Sequence, residues 1–290
     1  MSVRHPAVAG MFYEAGQAAL IKEVESCFLG PGGPGRLPDV KKEGARRIVG
    51  LVSPHAGFVY SGPVAAHAYL RLAEDGIPPN IVLIGPSHRP IMAPVAVADD
   101  EAWRTPLGNV PINTTIARNI VSEYPAAVLN SRAHRAEHSI EVQLPFLQYI
   151  ASKTGQEVKI VPLIIGVSIY DPNASEFVHT LGKALVKILQ GENVVVIAST
   201  DFSHYEPQQL AKRKDLAAIE QILALDADGL IKTVREMDIS MCGVVPTAVT
   251  IETCKGLGAT SCHQLAYRTS GDVTGDYLQV VGYASLEIGR

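Results

Sequence analysis

RIVGLVSPHAG, residues 47–57, joins an apolar run to a proline, a histidine and a glycine. From Ile48 to Val52 the run does not alternate with polar residues, which is the pattern of a strand covered on both faces. Pro54 cannot extend a ladder of hydrogen bonds, so the strand is expected to stop there. Gly57 is expected to let the backbone pass close to a neighbouring segment, aiming His55 across the sheet edge.

Runs of the same kind recur at 80–85, 93–98, 157–165 and 193–199. Between them lie helical patterns at 63–74, 111–124, 139–153, 174–190, 208–224 and 245–256, with an N-terminal helix over 18–28. This alternation predicts an α/β fold, a three-layer α/β/α sandwich around a mixed, mainly parallel central sheet. Residues 260–287 read as an antiparallel hairpin at the sheet edge, with GDVTGD as its turn. GPGGPG, residues 30–35, reads as a loop, and residues 1–290 are taken as a single domain.

Composition limits what such a domain can do. With 290 residues, 47% of them apolar and 19% charged, the chain can bury a substantial core. A net charge of −4 argues against a nucleic-acid binder, which needs clustered cations to displace counterions from phosphates. The Lys41–Arg47 cluster is short and reads as a solvated loop. No leader-like apolar stretch and no membrane-length run is seen, so a soluble cytoplasmic protein without a membrane partner is expected. Four dispersed cysteines without CxxC spacing signal neither a disulfide scaffold nor a zinc ribbon. Cys254 and Cys262 read as free buried thiols, with pairing left open for a hyperthermophilic source. The strands are not followed by GxxxxGK, GxGxxG or GxSxG, so no nucleotide cofactor and no serine nucleophile is expected.

Two further strands end as the first does. GPSHR places His88 past the second, and STDFSHY places Asp201 and His204 past a third. Parallel neighbours bring their C-terminal ends to one sheet edge, where ligands bind in open α/β sheets. RAEHSIEVQLPF sets Glu137, His138 and Glu141 at a helix start, with Ser139 as a cap and Pro145 bending or interrupting the helix. SMCGVVPTAV sets Cys242 ahead of another helix, with Pro246 in its first turn. A histidine beyond a strand is by itself more often a surface residue than a ligand. Imidazole, thiolate and carboxylate together are nevertheless the side chains that bind transition metals. His67, His179 and His263 read as packing or surface residues, and the reading of His5 and His134 is left open.

Taken together, RHPAVAGMFY, SPHAGFVYSGPVAAHAY, VLIGPSHR, WRTPLGNVPIN, EHSIEVQLPFL, STDFSHY and MCGVVPTAV resemble the Memo family, whose human member is a mediator of ErbB2-driven cell motility. The resemblance runs from Arg4 to Ala284 with the motifs in family order. It implies a fold similar to LigB-type class III extradiol dioxygenases, with a metal pocket at one sheet edge. The metal ligands it implies are His55, His88 and Cys242, with Asp201 and His204 as catalytic neighbours. In that reading His204 is a general acid or base and Asp201 orients it.

Dioxygenases of that type hold iron with two histidines and a carboxylate. A thiolate in place of the carboxylate favours copper or zinc while leaving iron open, and it can itself be oxidised. The cofactor expected is iron or copper, with zinc second to both. Ring cleavage does not follow from the fold. The function expected is a metal-dependent oxidoreductase acting on an unknown small molecule. The alternatives are a non-catalytic metal- or peptide-binding module and, behind it, a zinc hydrolase. Family context further implies a pathway link to radical-SAM and AMMECR-type proteins, and oligomerisation is left open.

Overall fold

Along the strand Asn80–Pro86, Ile81 and Leu83 enter one hydrophobic core while Val82 and Ile84 enter a second, all four fully buried. Val195 and Ile197 divide from Val196 and Ala198 in the same way along Val194–Ser199. Successive side chains of a strand point to opposite faces, so an unbroken apolar run demands cover on both. Helices Gln17–Leu29, Phe58–Asp75 and Leu144–Ser152 cover one face, contributing Leu20, Leu72 and Phe146. Helices Thr114–Glu123, Ala174–Leu189, Gln208–Leu223, Ala227–Glu236 and Val244–Gly256 cover the other. The three-layer α/β/α arrangement expected from the sequence is the one observed.

The computed structural model describes residues 2–290, and nine strands of that range form one mixed sheet. At its centre four parallel strands run in the order Ile48–Ser53, Val194–Ser199, Asn80–Pro86, Lys159–Ile165. In this register Ser53 stands opposite Ser199 and Ile84 opposite Ala198, so the strands finish together at one edge. Beyond Lys159–Ile165 the sheet continues with antiparallel Val95–Val97 and then Ala127–Leu129. On the other side Val280–Gly289 pairs antiparallel with Ile48–Ser53 and with Ser261–Thr269, forming the expected hairpin. A three-stranded sheet of Val3–Arg4, Ala102–Thr105 and Gly108–Pro111 lies apart. Among the described residues no helix is long and apolar enough to cross a membrane.

Some elements depart from the sequence reading. The second helix starts at Phe58 and runs through Pro63, five residues ahead of the 63–74 pattern. Pro63 has no N–H to give the carbonyl four places earlier, that of Val59, an exposed residue. The pattern over 111–124 contains the end of a strand, and the helix begins only at Thr114, capped by Asn113 accepting from Ile116 N. The 139–153 pattern is interrupted at Pro145: Glu141–Gln143 is a 3₁₀ turn and the α-helix Leu144–Ser152 begins only there, with Pro145 in its first turn, where a missing N–H costs nothing. Short strands at 3–4, 102–105, 108–111, 127–129 and 204–206 escaped the reading, since two to four residues carry too little periodicity.

Candidate metal centre

Three ends of chain converge past the sheet edge. One nitrogen each of His55 and His88 and the sulfur of Cys242 lie within 4.8 Å of one another. Cys242 Sγ is 3.3 Å from His55 Nε2, and the two imidazole rings stand 5.2 Å apart at 81°. The structure thus brings together the three residues singled out from the sequence as ligands.

The hydrogen bonds fix which nitrogen each ring presents. Ser199 Oγ donates to the Ser139 carbonyl at 2.5 Å and accepts from Gln143 Nε2 at 2.8 Å. Its only proton is therefore in use, and the 2.9 Å contact with His55 Nδ1 must be an N–H donated by the ring. Tyr69 donates to Gln143 Oε1 at 2.7 Å, which orients the amide that supports Ser199. His55 Nε2 is left with its lone pair toward Cys242. For His88 the same task falls to Glu137, whose Oε1 accepts from Nδ1 at 2.9 Å and whose Oε2 accepts from the backbone N at 2.7 Å. Both imidazoles carry the proton on Nδ1 and offer Nε2, as in carboxylate–histidine–metal arrangements.

Burial sets the charges. It lowers the pKa of His55 well below the usual value, with help from the neighbouring rings of His138 and His88, so His55 is neutral. Burial also opposes protonation of His88, but the Glu137 hydrogen bond and charge outweigh it and raise that pKa. Glu137 is held well below the usual carboxylate range despite burial, because His88 and the Ser139 N–H donate to it. Burial pushes the Cys242 thiol up, reinforced by the Asp201 charge. Asp201 N nonetheless donates to Sγ at 3.2 Å, an interaction that favours the thiolate.

Glycine shapes the site at a different position from the one expected. A Cβ on Gly57 would meet nothing nearer than Phe12 O at 3.6 Å, an ordinary contact, so close approach does not require that glycine. It is required at Gly243, where a Cβ would lie 2.4 Å from Thr200 Cβ and 2.7 Å from Ser199 O. Only a glycine lets the chain after Cys242 lie against the end of the Val194–Ser199 strand.

The Asp201 carboxylate accepts from His55 N at 2.8 Å, and burial pushes its pKa up to about 6. The sequence reading had Asp201 orienting His204, but the ring of His204 is oriented by the Ser240 carbonyl, which accepts from Nδ1 at 2.8 Å. Ser139 does not cap a helix. Its hydroxyl donates to Pro86 O at 3.1 Å and its N–H to Glu137.

The sequence places Glu137 and His138 among the candidate residues at a helix start without assigning them a task, and it does not single out Gln143 or Ser199. His138 stacks on His88 with centroids 4.6 Å apart and packs against Phe12 at 4.8 Å. With His88 and Glu137 it forms a second three-donor group sharing His88. The only sequence signal was the acid and histidine side by side in AEHS. Glu141 belongs to the support of the N-terminal arm: it pairs with Arg4 at 2.7 Å and accepts from Ala7 N, Val8 N and Tyr13 Oη. Of the remaining histidines, His67 contacts Gly32 O and His179 bridges Asp228 and Glu252. His134 is buried, while His5 and His263 are exposed. Cys27, Cys254 and Cys262 are free and buried.

Fold and site together define a mixed α/β sandwich that gathers two imidazoles and a thiol at the C-terminal edge of its parallel strands. The Memo-like protein family model matches residues 4–287, and the chain belongs to that family. A MEMO1 family protein of Methanopyrus kandleri is 47% identical over 289 residues, covering 99% of each chain. One from Methanothermobacter thermautotrophicus is 45% identical, covering 98% of this chain and 99% of its own. The crystal structure of an uncharacterised Escherichia coli protein shares the fold with a TM-score of 0.55 at 17% identity, covering 84% of this chain and all of that one.

Proposed function

We propose that the protein holds one transition metal ion, iron or copper, through His55 Nε2, His88 Nε2 and Cys242 Sγ, and acts as a metal-dependent oxidoreductase on a small molecule. The observation that carries this is the fixed tautomer of both rings. Two independent second partners, Ser199 and Glu137, hold Nδ1–H so that two lone pairs and a sulfur converge within 4.8 Å.

The donor set fits such an ion. A neutral buried imidazole needs no deprotonation, and a cation at the site would favour the thiolate that burial otherwise disfavours. Bound iron or copper would supply redox chemistry and Lewis acidity. The chain's own residues do the rest. Glu137 and Ser199 keep the two rings oriented, and the Asp201 carboxylate holds the backbone of the His55 turn. His204, with Nδ1–H tied to Ser240 O, has Nε2 as the atom that takes and returns a proton. Phe12, packed on His138, keeps water from that side of the rings.

One observation favours a second reading, a non-catalytic binding module: the His88 side chain is 34% exposed, so the site is open on that side. The two are separated by loading the protein with cobalt(II) and then with iron(II) or copper. A thiolate-to-cobalt charge-transfer band lost in Cys242→Ser supports the ligand set, and its absence in the wild type contradicts it. Oxygen uptake by the iron- or copper-loaded protein with candidate substrates supports the oxidoreductase. Loading without turnover favours the binding module, and zinc occupancy with ester or amide turnover would favour a hydrolase.

A further inference from the structure

His88 and Cys242 open onto a cleft of about 480 Å³, a size typical of small-molecule sites. Away from those two donors its walls mix apolar side chains with Ser87, Ser168 and Arg89. Ile165, Met241 and Val245 are buried there, and Val167 and Ile169 are half-buried. Arg89 is the one lining residue with a permanent charge. Its Nε donates to the Ala136 carbonyl at 3.3 Å, which fixes one edge of the guanidinium. Among the described residues no hydrogen bond or ion pair takes up its two Nη groups.

An arginine held at Nε presents two parallel donors, the fork that matches a carboxylate. The carboxylates nearby do not compete for it. Glu137 is spent on His88 and on the backbone of 138–139, and Asp201 on the His55 turn. A cation beside the row of apolar side chains Ile165, Val167, Ile169, Met241 and Val245 suits a negative charge carried on an apolar body. An uncharged ligand would leave the fork unused.

We propose that this cleft binds a monoanionic, mainly apolar small molecule, with its carboxylate on Arg89 and its body along Ile165, Val167, Ile169, Met241 and Val245. The inference names a ligand class for the proposed metal centre and rests on that reading only for what happens to the ligand, not for how it is held.

Octanoate serves as the probe, with octanol and acetate as controls, in calorimetric titrations of the full chain both metal-free and cobalt-loaded. Octanoate is expected to bind about tenfold or more tightly than either control. Arg89→Gln is expected to cut the octanoate-to-octanol ratio about tenfold, with octanol binding and cobalt content unchanged. Val245→Ser is expected to weaken both octanoate and octanol. Equal binding of octanoate and octanol, a ratio unmoved by Arg89→Gln, or no saturable binding of octanoate would overturn the proposal. A preserved ratio in protein that takes up no cobalt would sink the metal reading alone. Cobalt uptake with no ratio would sink this one alone.

Discussion

Ser199, the last residue of its strand, decides which nitrogen His55 offers, although it would coordinate no metal itself. Its proton goes to Ser139 O, which forces the ring to donate from Nδ1. Ser199→Ala should therefore leave the fold intact and weaken metal binding about 10- to 100-fold, the usual cost of losing an outer partner of a ligating histidine. A competition titration with a chelator measures this, and unchanged affinity would remove Ser199 from the account.

His134 carries a separate, pH-dependent effect. Its Nε2 contacts Ala96 O at 3.1 Å and its Nδ1 is buried without a partner, so burial lowers the pKa from 6.5 to about 3. The folded chain refuses a proton that the unfolded chain accepts, so stability is lost as pH falls below 6.5 toward 3. In metal-free protein the slope from this group is about 1.4 kcal/mol per pH unit in that window. His134→Gln, which keeps a donor for Ala96, should flatten acid unfolding by that amount. Parallel slopes for the two proteins would contradict it.

At the scale of elements, the N-terminal arm is held by one buried carboxylate. Glu141, in the 3₁₀ turn Glu141–Gln143, accepts two backbone N–H groups of the arm and the Tyr13 hydroxyl and pairs with Arg4. Arg4 in turn lies over the Trp103 ring at 4.2 Å and donates to the carbonyls of His134 and Glu137. Removing one partner of such a pair leaves a buried charge uncompensated. Glu141→Ala should cost about 3–5 kcal/mol in a denaturant titration. It should also loosen the arm that places Phe12 against His138, seen as faster amide exchange over residues 7–13. A loss under about 1 kcal/mol would mean that the pair is not what docks the arm.

At the scale of the whole molecule, the alternation of apolar runs and helical patterns was enough to read the three layers, because a strand covered on both faces leaves an unbroken apolar signature, as in 194–199. That His55, His88 and Cys242 converge was legible for the histidines, since parallel strands deliver their ends to one edge. For Cys242 it rested on family resemblance, as nothing in its spacing sets it against the strand ends. The supporting residues were not legible. Ser199, Gln143 and Glu137 act through contacts between segments 49 to 60 positions apart, and no local pattern encodes such pairs. Nor was the partner of His204, since Ser240 lies 36 positions away.

The central claim is that the three converging donors hold one metal. It is tested most directly by elemental analysis of untagged protein beside His55→Ala, His88→Ala and Cys242→Ser. The account predicts about one iron or copper per wild-type chain, with occupancy collapsing in each variant while the fold persists. Metal retained at wild-type level in all three variants, or a wild-type protein that neither carries nor takes up iron or copper, would contradict it.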